Sequence, residues 1–368
     1  MLTEALSIPS TISEVELIFR GDPESPFLAP RGVWLHNGIL VVADTGQNRV
    51  FIWKQLPRSE VQSPDIVLGQ ESVQETGRNA GQAVGPDSLQ YPSGVWTDGE
   101  KLIVADAWNH RVLIWHTFPS QNGTPADVVL GQKDFLGNEP NAEGVGAGCN
   151  ERTLYWPYGV HCDGERLFIA DTGNRRVMYY NSIPTSSFSA ADGVIGKEDF
   201  VTRDYEPQQP IWPYSIRISE RGALAITDTQ FFRVLLWKDW RSAEAGASPD
   251  QIVGQPDLVA NGQNQYGLSP GPNSLNWCYD SFFHKDGILV ADTANSRIKW
   301  HDSLFSANNP AASDLLGQPN FTTGSENVAN LECTSKTLYW PFSICSNAGR
   351  LAIADTGNHR VIINKITI

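Results

Sequence analysis

Motifs that announce a chemistry are scarce in this chain. Of its 368 residues five are cysteines, Cys149, Cys162, Cys278, Cys333 and Cys345, and no two stand in a CxxC spacing. An odd, scattered set argues against a disulfide framework and against a finger-type zinc site. Only two methionines occur, and long apolar helical faces are few, which counts against a helical bundle. No apolar run approaches the ~18 residues of a membrane-spanning helix. The opening stretch, MLTEALSIPSTISEVELIF, has no basic segment followed by an apolar one. It therefore reads as a cytoplasmic chain, or one whose leader has been removed. GxSxG, P-loop and strand-following GxGxxG phrases are missing too, so acyl-enzyme, nucleotide and dinucleotide chemistry find no support.

Positive charge is also sparse. Lys and Arg number 27 against 41 Asp and Glu, a formal net charge of −14. Such a chain repels phosphate backbones, so no nucleic-acid partner is expected. Plentiful are glycine (32), proline (23) and tryptophan (12), the mix of a turn-rich β protein with a sizeable core.

One phrase recurs six times: VVADTGQNRVFIW, IVADAWNHRVLIW, FIADTGNRRVMYY, AITDTQFFRVLLW, LVADTANSRIKWH and AIADTGNHRVIIN. Its aspartates, Asp44, Asp106, Asp171, Asp228, Asp292 and Asp355, are spaced by 62, 65, 57, 64 and 63 residues. An arginine follows each at five residues: Arg49, Arg111, Arg176, Arg233, Arg297 and Arg360. A short alternating run precedes each phrase, from RGVW to FSIC, and a run ending in glycine follows it, as in DIVLGQ or DQIVGQ. Each repeat thus supplies four short β runs separated by turn residues, which predicts one four-stranded propeller blade per repeat.

The sixth repeat lacks its own last run. The N-terminal segment Glu14–Gly21, EVELIFRG, supplies it and would pair the two chain ends, leaving no free sheet edge. The prediction is an all-β, six-bladed propeller in one domain spanning residues 1–368, with four antiparallel strands per blade.

The phrase DTGNHRV behind an alternating strand resembles the NHL repeat, and the likeness extends over nearly the whole chain. The period departs from the usual one because long loops, such as 71–90 and 133–155, separate the blades. They open with GQKDF, GKEDF, GQPDL or GQPNF and close with TLYWP or SLNWC. This resembles a bacterial NHL subgroup with extended GQPDF loops, which implies the propeller fold and no particular activity.

Because the Asp–Arg pair occurs in every blade, a structural role explains it best. Asp is expected to cap its own turn, with Gly or Asn supplying a left-handed residue, and Arg to return to that Asp or to nearby carbonyls. Glu71, Asp134, Asp199 and Asp257 should fix the loop starts. Val73, Phe135, Phe200, Leu258 and Phe321 should plug the loops between blades. Trp53, Trp115, Tyr180 and Trp237 read as packing between blades.

Function in a propeller sits where the repeats differ. Aligning the six innermost strands gives a mouth ring of Arg31, Ser93, Tyr158, Tyr214, Tyr279 and Phe342. Next comes Gly32, Gly94, Gly159, Ser215, Asp280 and Ser343, and two residues on lies Trp34, Trp96, His161, Arg217, Phe282 and Cys345. Asp280 is a carboxylate among Gly and Ser, and His161 and Arg217 replace tryptophan. Polar groups converging among aromatics suggest a small-molecule site. The candidate catalytic residues are Asp280, His161, Arg217, Tyr214 and Tyr279. The candidate ligand contacts are Arg31, Trp34, Trp96, Tyr158, Phe282 and Phe342, with Phe231 and Trp108 from the turns of the fourth and second repeats. Mere channel lining is the competing reading of the rings, and packing beneath a long loop the competing reading of Phe231. Seven scattered histidines suggest no zinc site, and neither the histidine cluster of the amidating-lyase propellers nor the inward carboxylates of the lactonase-like ones can be rebuilt. No cofactor is expected, a channel metal ion being the lesser possibility. Two functions remain. One is a module binding a small molecule, peptide or protein at the channel mouth. The other is an enzyme, a lyase, hydrolase or cyclase of a small metabolite.

Overall fold

The structure, a computed structural model, is described for residues 12–368. It consists of six four-stranded antiparallel sheets arranged as the blades of a propeller. The innermost strands are, in order, Gly32–His36, Pro92–Thr97, Pro157–Cys162, Pro213–Ile218, Asp280–His284 and Pro341–Asn347. Blade one shows the pattern: Gly32–His36, Ile39–Asp44, Arg49–Trp53 and Ile66–Leu68. Middle strands are buried on both faces, which is why they read as continuous runs such as RVFIW rather than alternating ones. The expected six-bladed all-β architecture is what the chain adopts.

The ring closes as the missing run predicts. Ser13–Phe19 pairs with Arg360–Ile366 as the outer strand of blade six, with a bulge between Val15 and Leu17. Phe19 is fully buried and meets Trp53 edge to face at 4.8 Å, so the closing strand is anchored in the core of blade one as well.

The repeated Asp and Arg act differently from the expectation. No Asp side chain caps its own turn. Instead it reaches sixteen residues back and accepts a backbone N–H in the loop before the innermost strand: Leu28, Gln90, Tyr155, Trp212, Asn276 and Tyr339, at 2.7–2.8 Å. Its other oxygen takes the arginine Nε at 2.7–2.9 Å, with both partners buried. The guanidinium then stitches loops together. In blade two it donates to Phe135, at the start of the outgoing loop, and to Gly85 and Ser88 in the incoming one. A buried charge pair survives because carboxylate and guanidinium each make several hydrogen bonds. Val73, Phe135, Phe200 and Leu258 pack against the core as plugs. Asp134, Asp199 and Asp257 accept N–H bonds at their loop starts, while Glu75 rather than Glu71 does this in blade one.

The left-handed residue of each turn is an asparagine only in blade one, at Asn48, and in no blade the glycine. It is the variable residue before the arginine: Asn48, His110, Arg175, Phe232, Ser296 and His359, at φ of 50–58°. The turn threonine latches successive blades. Thr45 donates to Pro92 O at 2.7 Å, Thr229 to Cys278 O at 2.7 Å and Thr293 to Pro341 O at 2.6 Å, and Thr356 closes the ring on Pro30 O. Blade two carries Ala107 at this place and lacks the latch.

Candidate functional site

The innermost strands crowd the axis unevenly. A Cβ on Gly32 would fall 1.9 Å from Ser93 O, and one on Gly159 would fall 2.5 Å from Tyr214 O. Glycine is what lets blades one to three close up. Blades four to six carry Ser215, Asp280 and Ser343 at this level and leave room. The result is a cavity of about 20 Å³ beside Asp280 and Arg217, space for about one water.

Inside it, Arg217 Nη2 donates to Asp280 Oδ2 at 2.9 Å. The same oxygen accepts from Ser343 Oγ and from the Ile344 N–H, each at 3.0 Å. Arg217 also donates to Ile216 O at 2.8 Å, and its Cζ lies 5.8 Å and 5.5 Å from the ring centres of Trp34 and Phe282. Burial pushes the Asp280 carboxyl above its ordinary range, with the Arg217 charge opposing. Hydroxyls extend the polar zone: Ser215 Oγ donates to Thr227 Oγ1 at 2.9 Å, and Thr227 Oγ1 and Ser281 Oγ lie 2.9 Å apart.

His161 belongs to the layer below and makes no hydrogen bond to Asp280 or Arg217. Neither ring nitrogen has a well-formed hydrogen bond among the described residues, and the Ile218 backbone gives a weak contact. Burial, helped by the Arg217 charge, depresses the imidazole to about 3, so the ring is neutral. It packs 6.0 Å from Trp34, which also meets Trp96 and Phe282. This layer floors the cavity.

The mouth ring roofs it. Tyr158 stacks on Tyr214 at 4.6 Å, Tyr214 meets Tyr279 edge-on at 4.7 Å, and Tyr279 leans on Phe342 at 4.2 Å. Burial raises the Tyr158 and Tyr279 hydroxyls above their usual range, which keeps them protonated. Arg31 spreads over Phe342 at 4.2 Å and Tyr91 at 5.0 Å. The candidate catalytic residues are therefore neighbours in space, but Asp280 and Arg217 lie sealed between two aromatic layers, and the tyrosines form the lid.

Phe231 is displaced from the expected ligand face. It is 1% exposed, lying under Tyr205 at 5.8 Å and against the Arg233 guanidinium at 4.6 Å. It occupies the place of the asparagine that in other blades bonds an asparagine of the incoming loop, as Asn109 does with Asn79 and Asn174 with Asn141. Blade four's incoming loop contributes no such partner, so an aromatic plug replaces the amide pair. Trp108 does lie at the surface, 40% exposed, stacked on Tyr91 at 4.7 Å.

A collar of aromatics missed by the ring alignment surrounds the mouth, two residues before it. Its members are Tyr91, Trp156, Trp212, Trp277 and Trp340, with Ala29 in blade one. Trp277 and Trp340 are 39% and 44% exposed, and the other three are half-buried. Tyr91, Trp156, Trp277 and Trp340 have φ of 42–54°, a region costly for bulky residues. The left-handed turn residue of the preceding blade holds most of them there. Asn48 accepts from the Tyr91 N–H at 3.0 Å, His110 from Trp156 at 3.1 Å and Ser296 from Trp340 at 3.4 Å. The repeated TLYWP and SLNWC phrases were the available signal. Thr227, where the five other repeats read Ala, was the signal for the hydroxyl network.

No cluster of three or more metal-ligating side chains is found among the described residues, and no helix among them is long and apolar enough to cross a membrane.

No family model matches the chain, and no curated protein matches it. Solved structures do resemble it. A structural genomics protein of unknown function from Bacteroides thetaiotaomicron is 13% identical with a TM-score of 0.53, covering 97% of this chain and 74% of its own. An auxiliary nutrient binding protein from the same organism is 12% identical with a TM-score of 0.55, covering 97% and 76%. The WD40 β-propeller domain of Doa1 is 9% identical with a TM-score of 0.50, covering 95% and 96%. At such identities the likeness establishes the β-propeller fold alone.

Proposed function

We propose that the chain is an NHL-type propeller that binds a ligand across the collar-bearing face at the channel mouth. The observation that carries this is the set of half-exposed aromatics held in left-handed backbone. Strain of that kind persists where a side chain's direction matters more than its stability, and rigid aromatic platforms give contact area at little entropic cost. The fold-level neighbour described as a nutrient binding protein is consistent with a small ligand, by analogy only. The NHL relationship rests on the six DTGNxR-type phrases in register, and the charge of −14 disfavours nucleic acid.

No observation favours the enzyme reading. Asp280 is saturated by Arg217, Ser343 and Ile344, His161 is outside hydrogen-bond reach of it, and the space beside the pair holds about one water.

Intrinsic tryptophan fluorescence of the purified chain, titrated with a panel of oligosaccharides, short peptides and metabolites, tests the proposal. Saturable quenching that weakens in Trp340→Ala and Trp277→Ala supports it. Quenching unaffected by both variants places the ligand elsewhere and refutes it. Turnover abolished by Asp280→Asn would restore the enzyme reading.

A further inference from the structure

The collar is uncharged, but the mouth it surrounds is not. Arg31 lies half-buried at the centre of the face. Its guanidinium spans the rings of Phe342 and Tyr91 and is hydrogen-bonded to the Tyr214 hydroxyl. No carboxylate among the described residues lies within ion-pair distance of it, whereas each of the six repeat arginines and Arg217 has one. Other cations also lack a carboxylate partner, but Arg31 stands at the channel mouth with its guanidinium partly desolvated against two aromatic rings. A partly desolvated guanidinium ordinarily finds a carboxylate or phosphate. Packed against two rings and bonded to the Tyr214 hydroxyl, a guanidinium of five N–H donors keeps further donors to offer a planar anionic partner.

We propose that the collar and Arg31 together form a subsite for an acidic carbohydrate, a sugar or oligosaccharide bearing a carboxylate. This rests on the ligand-binding reading and names its ligand class. One guanidinium balances one negative charge, which suits a carboxylate better than a phosphate dianion. The cavity beneath the lid holds about one water, so a ligand must lie across the face instead of inserting an apolar tail. A face of separate ring platforms, with indoles such as Trp156 and Trp212 centred 6.3 Å apart, presents flat apolar surfaces between polar edges. Pyranose rings have the complementary alternation of C–H faces and hydroxyls. The carboxylate would sit on Arg31 and the flanking sugar units on the collar.

Calorimetric titration of the full chain with galacturonic acid trimers and glucuronic acid trimers, and with the carboxyl-reduced form of each, tests this. At least one acidic trimer is expected to bind about tenfold more tightly than its reduced form, the size of one charge-assisted hydrogen-bonded pair. Arg31→Gln should abolish that preference, and Trp340→Ala should weaken both forms. Thermal unfolding of each variant checks that it is folded. Should Arg31→Gln fail to fold, raising the salt concentration with the parent chain serves instead, since it should weaken the acidic sugar and not the neutral one. Equal binding of acidic and reduced forms, or no binding by any of the four, overturns the proposal. A peptide or neutral metabolite whose quenching depends on Trp340 would overturn it while leaving the ligand-binding reading in place.

Discussion

Arg217 of blade four and Asp280 of blade five meet at 2.9 Å across 63 positions of sequence, with side chains 8% and 3% exposed. Asp280 stands at the one level of the channel where glycines give way to larger residues, and Arg217 reaches it from two residues further along its strand. It is a buried ion pair with a further hydroxyl and a backbone N–H on the carboxylate, so its loss and its replacement have different consequences. Asp280→Leu leaves a buried guanidinium without a counter-charge and should destabilise the chain by about 3–5 kcal/mol. Adding Arg217→Met should recover most of that. Urea unfolding of the two single variants and the double variant measures the coupling. A double variant as unstable as the sum of the singles would show that the pair is not a unit.

Collar tryptophans offer a sharper separation of stability from binding. Trp340 is exposed and has φ of 50°, where asparagine is accommodated more readily than a bulky residue. Trp340→Asn should leave stability unchanged or raise it by up to about 1 kcal/mol, while reducing quenching by any ligand of the face. A loss of more than ~1 kcal/mol in urea unfolding would mean that packing, not binding, keeps tryptophan there.

Blade two lacks the threonine latch. Ala107 is fully buried and stands where Thr45, Thr229 and Thr293 donate to the carbonyl beginning the next blade. Ala107→Thr should add such a bond to Pro157 O and stabilise by about 0.5–1.5 kcal/mol. A raised thermal midpoint checks this. A lowered one would show that the blade two–three interface has closed over the missing hydroxyl.

Architecture was legible in the sequence because it is repeated. Six aspartates in register and one missing run fixed blade number and ring closure, down to Ser13–Phe19 pairing with Arg360–Ile366. Turn chemistry was harder to read. The left-handed position falls on Asn48, His110 and Phe232, residues that differ from blade to blade, so no repeated glycine marks it. Asp44 bonds Leu28 and not its own turn, a contact set by how a loop folds back. The rings of Asp280, Arg217 and His161 could be aligned from periodicity. Whether they enclose a pocket or a single water depends on how far Tyr158, Tyr214 and Tyr279 lean across the axis, and spacing does not encode that. Phe231 was ambiguous for the same reason, because its burial is decided by Tyr205, 26 residues upstream.

His161 provides a pH test of the lower layer. Its imidazole is held at about 3 in the folded chain by burial, with the Arg217 charge adding to it, against about 6.5 when unfolded. The folded-state value is depressed, so the neutral form is the one the fold accommodates. Its contribution is fully present above pH ~6.5 and is lost as pH falls towards 3, because the unfolded chain takes up a proton that the folded one refuses. Other groups titrate over the same range, so the comparison must be with a variant lacking only this one. His161→Phe keeps a ring among Trp34 and its neighbours and removes the proton. The stability difference between variant and parent should move in the variant's favour by about 1.4 kcal/mol for each pH unit between 6 and 4. Urea unfolding at pH 7, 6 and 5 reads this slope. A difference that does not change with pH would mean that the ring gains a proton in the folded chain as readily as in the unfolded one, and that the layer beneath Asp280 is open to water.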